Sequence, residues 1–302
     1  MGAEFGDRTL IIGAAGMLGR AICHTLAGAG LAFDAVDAVR NEAEGIGGFD
    51  LCAERDLSRI ADGRWAMVIN CAAWTDVDAA EENEQAATAL NGIAVGALGA
   101  ACNAGGCLCV HFSTDYVFNG QGTSPYTVDH PIDPINAYGR SKAVGERLLA
   151  ESEAEHILIR TSWLYGPWGK NFVRTMRSLM QSRDSLKVVD DQRGRPTSVE
   201  QLARTTLGLV SAGARGTFHA CDGGECTWHG LASAIRDTLG LGTTIDPCTT
   251  GEFPRPAVRP AYSVLDLSTT TGIVGELIPW EDELRRVLSA VDAAEQTEEA
   301  KA

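Results

Sequence analysis

Thr9-Leu10-Ile11-Ile12 is a short apolar run that passes straight into Gly13-Ala14-Ala15-Gly16-Met17-Leu18-Gly19 and then into the helix-like stretch Arg20 to Ala27. A buried strand, a glycine turn and a helix in that order leave few folds open. Gly13 permits the tight turn, Gly16 lets backbone come close to a pyrophosphate, and Gly19 lets the helix pack against the strand. Helix N–H groups are then left aimed at the phosphates. A second strand-like run, Ala32 to Val36, ends at Asp37, where a carboxylate can accept hydrogen bonds from an adenosine ribose. That carboxylate would repel a 2′-phosphate, which favours NADH over NADPH, and Arg40 close by partly offsets the repulsion.

A second pattern lies far along the chain. Tyr138 and Lys142, in Tyr138-Gly139-Arg140-Ser141-Lys142, are spaced to share one helix face. An ammonium beside a phenol favours the phenolate, so Lys142 is expected to lower the tyrosine pKa from about 10 and let the hydroxyl exchange protons near neutral pH. Alone, the pair fits two ordinary exposed side chains. Phe112-Ser113-Thr114-Asp115-Tyr116 changes that, because it ends an apolar run and brings hydroxyls to the carboxyl edge of a sheet, where ligands bind in open α/β folds. A hydroxyl at Thr114 can bond a substrate carbonyl while Tyr138 supplies the proton and Lys142 holds the phenol and a nicotinamide ribose. One of the two hydroxyls is also expected to cap the turn.

Between these signals, strand-like runs at Met67 to Ile69, Leu108 to Phe112 and Ile157 to Ile159 alternate with helix-like segments near Glu81 to Cys102 and Ala137 to Ala150. The alternation predicts an α/β fold with a doubly wound parallel sheet covered on both faces. With 302 residues and 45% hydrophobic content the chain can bury a large core. After Arg160 the rhythm weakens, and the loop Ser162 to Gly169 reads as substrate-binding territory. The proline-rich 243–260 segment reads as surface loop and the acidic tail from Asp292 as frayed. The expected division is a mainly dinucleotide-binding domain over 1–160 and a smaller, mainly substrate-binding region over 161–302, with some segments returning to the first.

A net charge of −15 counts against a nucleic-acid-binding surface, so an anionic ligand has to be met by local N–H groups and a few arginines. Nine scattered cysteines without paired C-x-x-C spacing predict free thiols and no metal. No run reads as membrane-spanning. Met1-Gly2-Ala3-Glu4-Phe5-Gly6 resembles neither a signal peptide nor a myristoylation site, so the expectation is a cytoplasmic enzyme.

The G-x-x-G-x-x-G spacing resembles the short-chain dehydrogenase/reductase superfamily, whose sheet is Rossmann-like. Longer matches narrow this. Asn70-Cys71-Ala72-Ala73-Trp74-Thr75-Asp76 onward to Glu81, Ser113 to Phe118, Asn136 to Lys142, Arg160-Thr161-Ser162-Trp163, Asp191-Gln192, Thr227-Trp228-His229 and Arg259-Pro260 resemble the dTDP-4-dehydrorhamnose reductase family from about Thr9 to Val287. The resemblance implies NADH- or NADPH-dependent reduction of the 4-keto group of a nucleotide-linked 6-deoxyhexose, dTDP-4-dehydro-L-rhamnose to dTDP-L-rhamnose, within polysaccharide biosynthesis. It implies that Gly13, Gly16, Met17, Leu18 and Gly19 serve the cofactor phosphates, Asp37 the ribose, and Asp50 with Leu51 the adenine side. Ala73, Trp74, Thr75 and Phe112 would line the cofactor, with Tyr138 and Lys142 at its nicotinamide half. Thr114, Tyr138 and Lys142 would carry the chemistry, while Thr114, Asp115, Trp163 and Arg259 would bind substrate, the indole against the hexose and the guanidinium at the diphosphate. Trp74 and Asn119 depart from the family's usual residues. Some relatives dimerise through carboxylate-bound magnesium. Glu200 matches one such position and the others lack counterparts, so no metal is assigned and a monomer or homodimer is expected.

Two other readings stay open. Nucleotide-sugar epimerases and dehydratases share the glycine turn and the Tyr-Lys pair, but the dehydratase pattern places Asp-Glu after the threonine, whereas Asp115 precedes Tyr116 here. A non-catalytic regulatory subunit resembling that of methionine adenosyltransferase is the other.

Overall fold

The computed structural model describes residues 8–299. The N-terminal hexapeptide lies outside the described residues, as do residues 300–302. The tail, expected to fray, is helical as far as Glu299.

Seven strands form the central sheet: β1 (Thr9–Ile12), β2 (Phe33–Asp37), β3 (Gly47–Gly48), β4 (Met67–Asn70), β5 (Leu108–Thr114), β6 (His156–Thr161) and β7 (Gly216–His219). Their order is β7-β6-β5-β4-β1-β2-β3, and every pairing is parallel. The chain builds outward from β1 in one direction through β2 and in the other through β4, so a crevice opens at the carboxyl ends of β1 and β4. Alternation along each strand divides the core. Ile11, Met67, Ile69, Val110 and Ile157 face one layer, with Leu18 and Ile22 of the Met17–Gly28 helix and Leu202 of the Val199–Ser211 helix. Leu10, Ile12, Val68, Cys109 and Leu158 face the other, with Leu98 of the Ala94–Gly105 helix and Leu149 of the Ala137–Glu151 helix. The helical run Glu84–Gly105 is long and apolar enough to span a membrane by length and composition, which the sequence reading did not expect. Here its Ala94, Val95, Leu98 and Cys102 are buried in the second layer.

Helices come close to neighbouring backbone where glycines leave out a side chain at the contact. A Cβ on Gly19 would meet the Gly13 carbonyl oxygen at 2.1 Å, and one on Gly13, where φ is +79°, would meet Ala72 N at 2.6 Å. In the Ala137–Glu151 helix, Gly139 faces the Tyr116 carbonyl and Gly145 the Asn91 carbonyl, each leaving 2.1 Å to an added Cβ. The same helix carries Glu146, which is buried and takes Arg160 from β6 at 2.7 Å and the Ser113 hydroxyl from β5 at 2.5 Å. A buried carboxylate is tolerated when a guanidinium and a further donor compensate its lost hydration.

Past β6 the chain alternates between the sheet and a separate apolar cluster. Val199–Ser211 and β7 belong to the sheet side, while Tyr165, Val173, Met180, Leu231, Ile235 and Leu284 close the other cluster. In that second body Ser185–Val189 pairs in parallel with Thr244–Cys248. The surface loop expected over 243–260 therefore begins with a strand. Pro247 is accommodated because the two-stranded pair has only edge strands, where a missing N–H costs no ladder bond.

Gly19→Ala is expected to lower stability by about 1–3 kcal/mol, since the helix has to lift from the turn to admit one methyl group. Chemical denaturation, read as the midpoint relative to the parent, measures it.

Candidate active site

The crevice is a cleft of about 1120 Å³ running from the glycine turn to the second body. Gly13, Gly16, Met17, Leu18, Asp37, Asp50, Leu51, Ala73, Trp74, Thr75, Phe112, Thr114, Asp115, Tyr138, Lys142 and Trp163 all line it. Two residues expected at the site stand elsewhere. Gly19 lies behind the turn in its packing role. Arg259 is drawn away by Asp78, whose Oδ1 it reaches at 3.0 Å, and it also donates to the Ala257 carbonyl.

At the turn end, Gly13 N and Ala14 N donate to the Val36 carbonyl, tying the turn to β2. Asp37 accepts from Ala15 N at 3.0 Å and Ala38 N at 2.7 Å, so its carboxylate is held at the cleft edge. Asp50 is braced by accepting from Cys52 N. The Ala73-Trp74-Thr75 wall is gripped by buried Asn91, which accepts from Trp74 N at 2.8 Å and donates to its carbonyl at 3.0 Å. Asn91 belongs to a π-helical turn, Ala89–Ile93, a local widening often found beside functional sites. These features fit a dinucleotide: a turn that admits no side chain, helix N–H groups behind it, and a carboxylate at the end of β2 lining the same cleft.

At the other end, Asn136 caps the Ala137–Glu151 helix by accepting from Gly139 N, and Glu81 accepts from Ala137 N. This sets Tyr138 in the first turn, half-buried and edge-on to Tyr116 at 5.9 Å. Thr114 accepts from Tyr116 N at 3.2 Å and donates to Asp115 Oδ1 at 3.0 Å, so it is the turn cap, while Ser113 is spent on Glu146.

The electrostatics correct one expectation. Lys142 does not make the phenol acidic: burial pushes Tyr138 up to about 12, and the Thr114 hydroxyl only partly opposes this. Lys142 instead donates to the Phe112 carbonyl at 2.6 Å and approaches His111, and burial pushes its own ammonium down to about 8. Both groups lose solvation at the strand end, and each is thereby shifted toward its uncharged form. Asp115 behaves likewise. Only 2% exposed, with Oδ2 lacking a hydrogen-bond partner, it is pushed by burial up to about 7.

The sequence reading gave no role to several residues that the fold brings to the cleft. Trp228 stacks on Trp163 with centroids 3.6 Å apart and planes 11° from parallel, making a double indole wall. Trp163 holds a left-handed backbone, φ +48°, and its ring leaves no room for a Cβ on Gly194. Lys170 and Asn171 also line the cleft, and the Asn171 amide lies 3.6 Å from Met17 Sδ at the glycine turn. Thr227-Trp228-His229 stands out in the sequence as a motif, but nothing local to it says which aromatic ring it meets.

This fold and cleft define a dinucleotide-dependent oxidoreductase of the extended short-chain type. The family model described as RmlD substrate binding domain matches residues 7–293. A dTDP-4-dehydrorhamnose reductase from Streptomyces griseus is 41% identical over 269 residues, covering 86% of each chain. Among solved structures, a dTDP-4-dehydrorhamnose reductase from Clostridium acetobutylicum aligns with a TM-score of 0.87 at 36% identity, covering 94% of this chain and 99% of that one. Another, from Bacillus anthracis and in complex with NADP, aligns at 0.86 and 31% identity with the same coverage. The chain belongs to the dTDP-4-dehydrorhamnose reductase family.

Asp115 gives a test of the buried site. Its folded pKa near 7 lies above the unfolded value of about 3.9, so the folded protein keeps a proton that the unfolded chain releases. That contribution is complete below the unfolded value and is lost as pH rises through the folded one. Asp115→Asn, which cannot ionise, is expected to exceed the parent in stability at about pH 8 and to lose the advantage by about pH 4. Urea denaturation of both proteins at the two pH values checks the sign.

Proposed function

We propose that the protein reduces the 4-keto group of a dTDP-linked 6-deoxyhexose, converting dTDP-4-dehydro-L-rhamnose to dTDP-L-rhamnose. The observation that supports this above others is one continuous cleft with the glycine turn at one end, Thr114, Tyr138 and Lys142 midway, and the Trp163 wall at the other.

A reduced nicotinamide bound in the cleft supplies the hydride. The protein's part is to orient the sugar and handle its oxygen. Tyr138, with a pKa near 12, keeps its proton at neutral pH and releases it only to a stronger base, which is what a developing alkoxide becomes. The hydroxyl of Thr114, which lines the same cleft, shares the charge on that oxygen. Lys142, anchored on the Phe112 carbonyl, stands below as the group that holds the nicotinamide ribose. The indole of Trp163, backed by Trp228, offers a flat apolar face to the hexose ring. Lys170 at the cleft wall supplies a cation for a ligand phosphate group.

Asp37 supports NADH as the preferred donor, because its carboxylate faces a ribose and the nearby cations are engaged: Arg20 with Glu44 at 2.7 Å and Arg40 with Glu42 at 3.4 Å. In this reading residues 1–160 mainly hold the dinucleotide and 161–302 mainly the sugar, in a cytoplasmic monomer or homodimer. Free thiols at all nine cysteines agree with a reducing compartment.

Incubation with dTDP-4-dehydro-L-rhamnose should consume reduced nicotinamide in a one-to-one ratio with product. No net change in cofactor absorbance would instead identify an epimerase. Tyr138→Phe should retain cofactor binding while turnover falls by about 10²–10⁴-fold. Near-parental turnover in that variant removes the phenol from the mechanism.

A further inference from the structure

The cleft is suited to phosphate groups and yet poor in cations. Among the described residues that line it, only Lys142 and Lys170 are basic, against Asp37, Asp50 and Asp115, in a chain of net charge −15. Lys142 is buried at the strand end, where it donates to the Phe112 carbonyl at 2.6 Å. Arg20, the cation nearest the glycine turn in sequence, is engaged as well: it donates to the Ala15 carbonyl at 3.0 Å and pairs with Glu44 at 2.7 Å. Lys170 is different. Its side chain is exposed, and its ammonium has neither an ion pair nor a hydrogen bond among the described residues. Arg174 beside it donates to the Gly169 carbonyl at 3.3 Å and has no carboxylate partner either. The two cations line one open basin of about 430 Å³ that adjoins the cleft at Gly169 and Lys170, so positive charge gathers there in an otherwise acidic chain.

The loop that carries Lys170 is fastened to the glycine turn. Asn171 donates to the Gly166 carbonyl at 2.9 Å and lies 3.3 Å from the Trp168 carbonyl, while its Oδ1 accepts from Arg174 N at 3.1 Å, so one side chain closes the loop on itself. The same amide is the one that reaches Met17. Gly166 stands so near Met17 that an added Cβ would lie 3.4 Å from its Sδ, and Trp168 is edge-on to His24 of the Met17–Gly28 helix at 5.0 Å. These contacts seat loop 166–171, which runs between Tyr165 and Val173 of the second body, at the start of the helix whose first N–H groups are left for phosphates. We propose that Lys170 is a cofactor-binding residue: the second body supplies its ammonium to the pyrophosphate of the dinucleotide, whose other donors are the N–H groups behind the glycine turn. Those groups offer only partial positive charge to two anionic phosphates, and an ammonium adds a full charge with three donors. A sugar nucleotide carries a diphosphate too, so the chemistry recognised is a diphosphate. Placement assigns it to the dinucleotide, because the residue after Lys170 touches Met17 at the turn. The dinucleotide is then held from both bodies at once.

This assignment rests on the dinucleotide part of the proposed function and not on the identity of the sugar. Equilibrium binding of NADH, ADP-ribose and dTDP, each added alone to the full chain, tests it. Lys170→Gln should weaken NADH and ADP-ribose alike by about tenfold while dTDP stays within about twofold of the parent. The melting temperature should not change, since the side chain is exposed. Lys170→Arg keeps the charge and should restore both affinities; failure to restore them means that charge is not what the site uses. Added sodium chloride should weaken NADH binding less steeply in Lys170→Gln than in the parent, and equal slopes count against the assignment. A loss confined to dTDP gives the lysine to the sugar nucleotide and overturns it. So does a loss for NADH without one for ADP-ribose, which puts the lysine at the nicotinamide half. A parent that binds neither NADH nor ADP-ribose removes the dinucleotide reading itself, whereas a parent that binds both, with no change in Lys170→Gln, removes the role of Lys170 alone.

Discussion

The close seat of the Ala137–Glu151 helix against the turn after β5 and the neighbouring π-helical turn is the contact from which the site follows. Two glycines six residues apart, Gly139 and Gly145, let it settle against the Tyr116 and Asn91 carbonyls at distances no side chain would allow. With the helix at that depth, Tyr138 in its first turn reaches the end of β5. Lys142, one turn on, runs beneath the strand end to the Phe112 carbonyl, and Glu146, a further turn on, is carried into the core. A helix standing off by the ordinary packing distance would leave all three in water, where none would have the same proton affinity.

Depth has a price in hydration, and the core offsets it locally. Glu146 is matched by Arg160, whose guanidinium also lies 5.1 Å from the Phe118 ring centre and donates to the Val128 carbonyl. This knot joins the helix, β5, β6 and the loop before the helix, so the same ionic group that would be a liability in isolation ties together the elements carrying Ser113, Thr114 and Tyr138. Asp115 at the cleft has no cation to match it, and its Oδ2 is without a hydrogen-bond partner, as are Asp222 Oδ1 and Glu283 Oε2 elsewhere in the core.

Sequence patterns reveal the fold to the extent that their causes are local. Continuous apolar runs flanked by turns suffice to place β1, β4, β5 and β6, and the glycine turn declares itself because only glycine tolerates Gly13's backbone and the contact behind Gly19. The Tyr138–Lys142 spacing is equally local. What that spacing does not contain is the dielectric around it, so the direction of the Tyr138 shift is hidden until burial is known. Arg259 is a similar case: its partner Asp78 lies far off in sequence, and no pattern near Pro260 signals that the guanidinium is already engaged. The Thr244–Cys248 strand was obscured by Pro247, which argues against a strand unless its edge position is known. Trp228 meets Trp163 only through the second apolar cluster, a tertiary fact with no local trace.

The left-handed backbone at Trp163 has an evolutionary consequence. A non-glycine residue in that region gives up roughly 1–2 kcal/mol, and the indole is kept there by a neighbour, Gly194, that has no side chain to oppose it. Any larger residue at 194 would meet the Trp163 ring and displace that wall, although Gly194 does not itself line the cleft. The shape of the cleft can therefore diverge through a backbone floor while every residue that lines it stays the same.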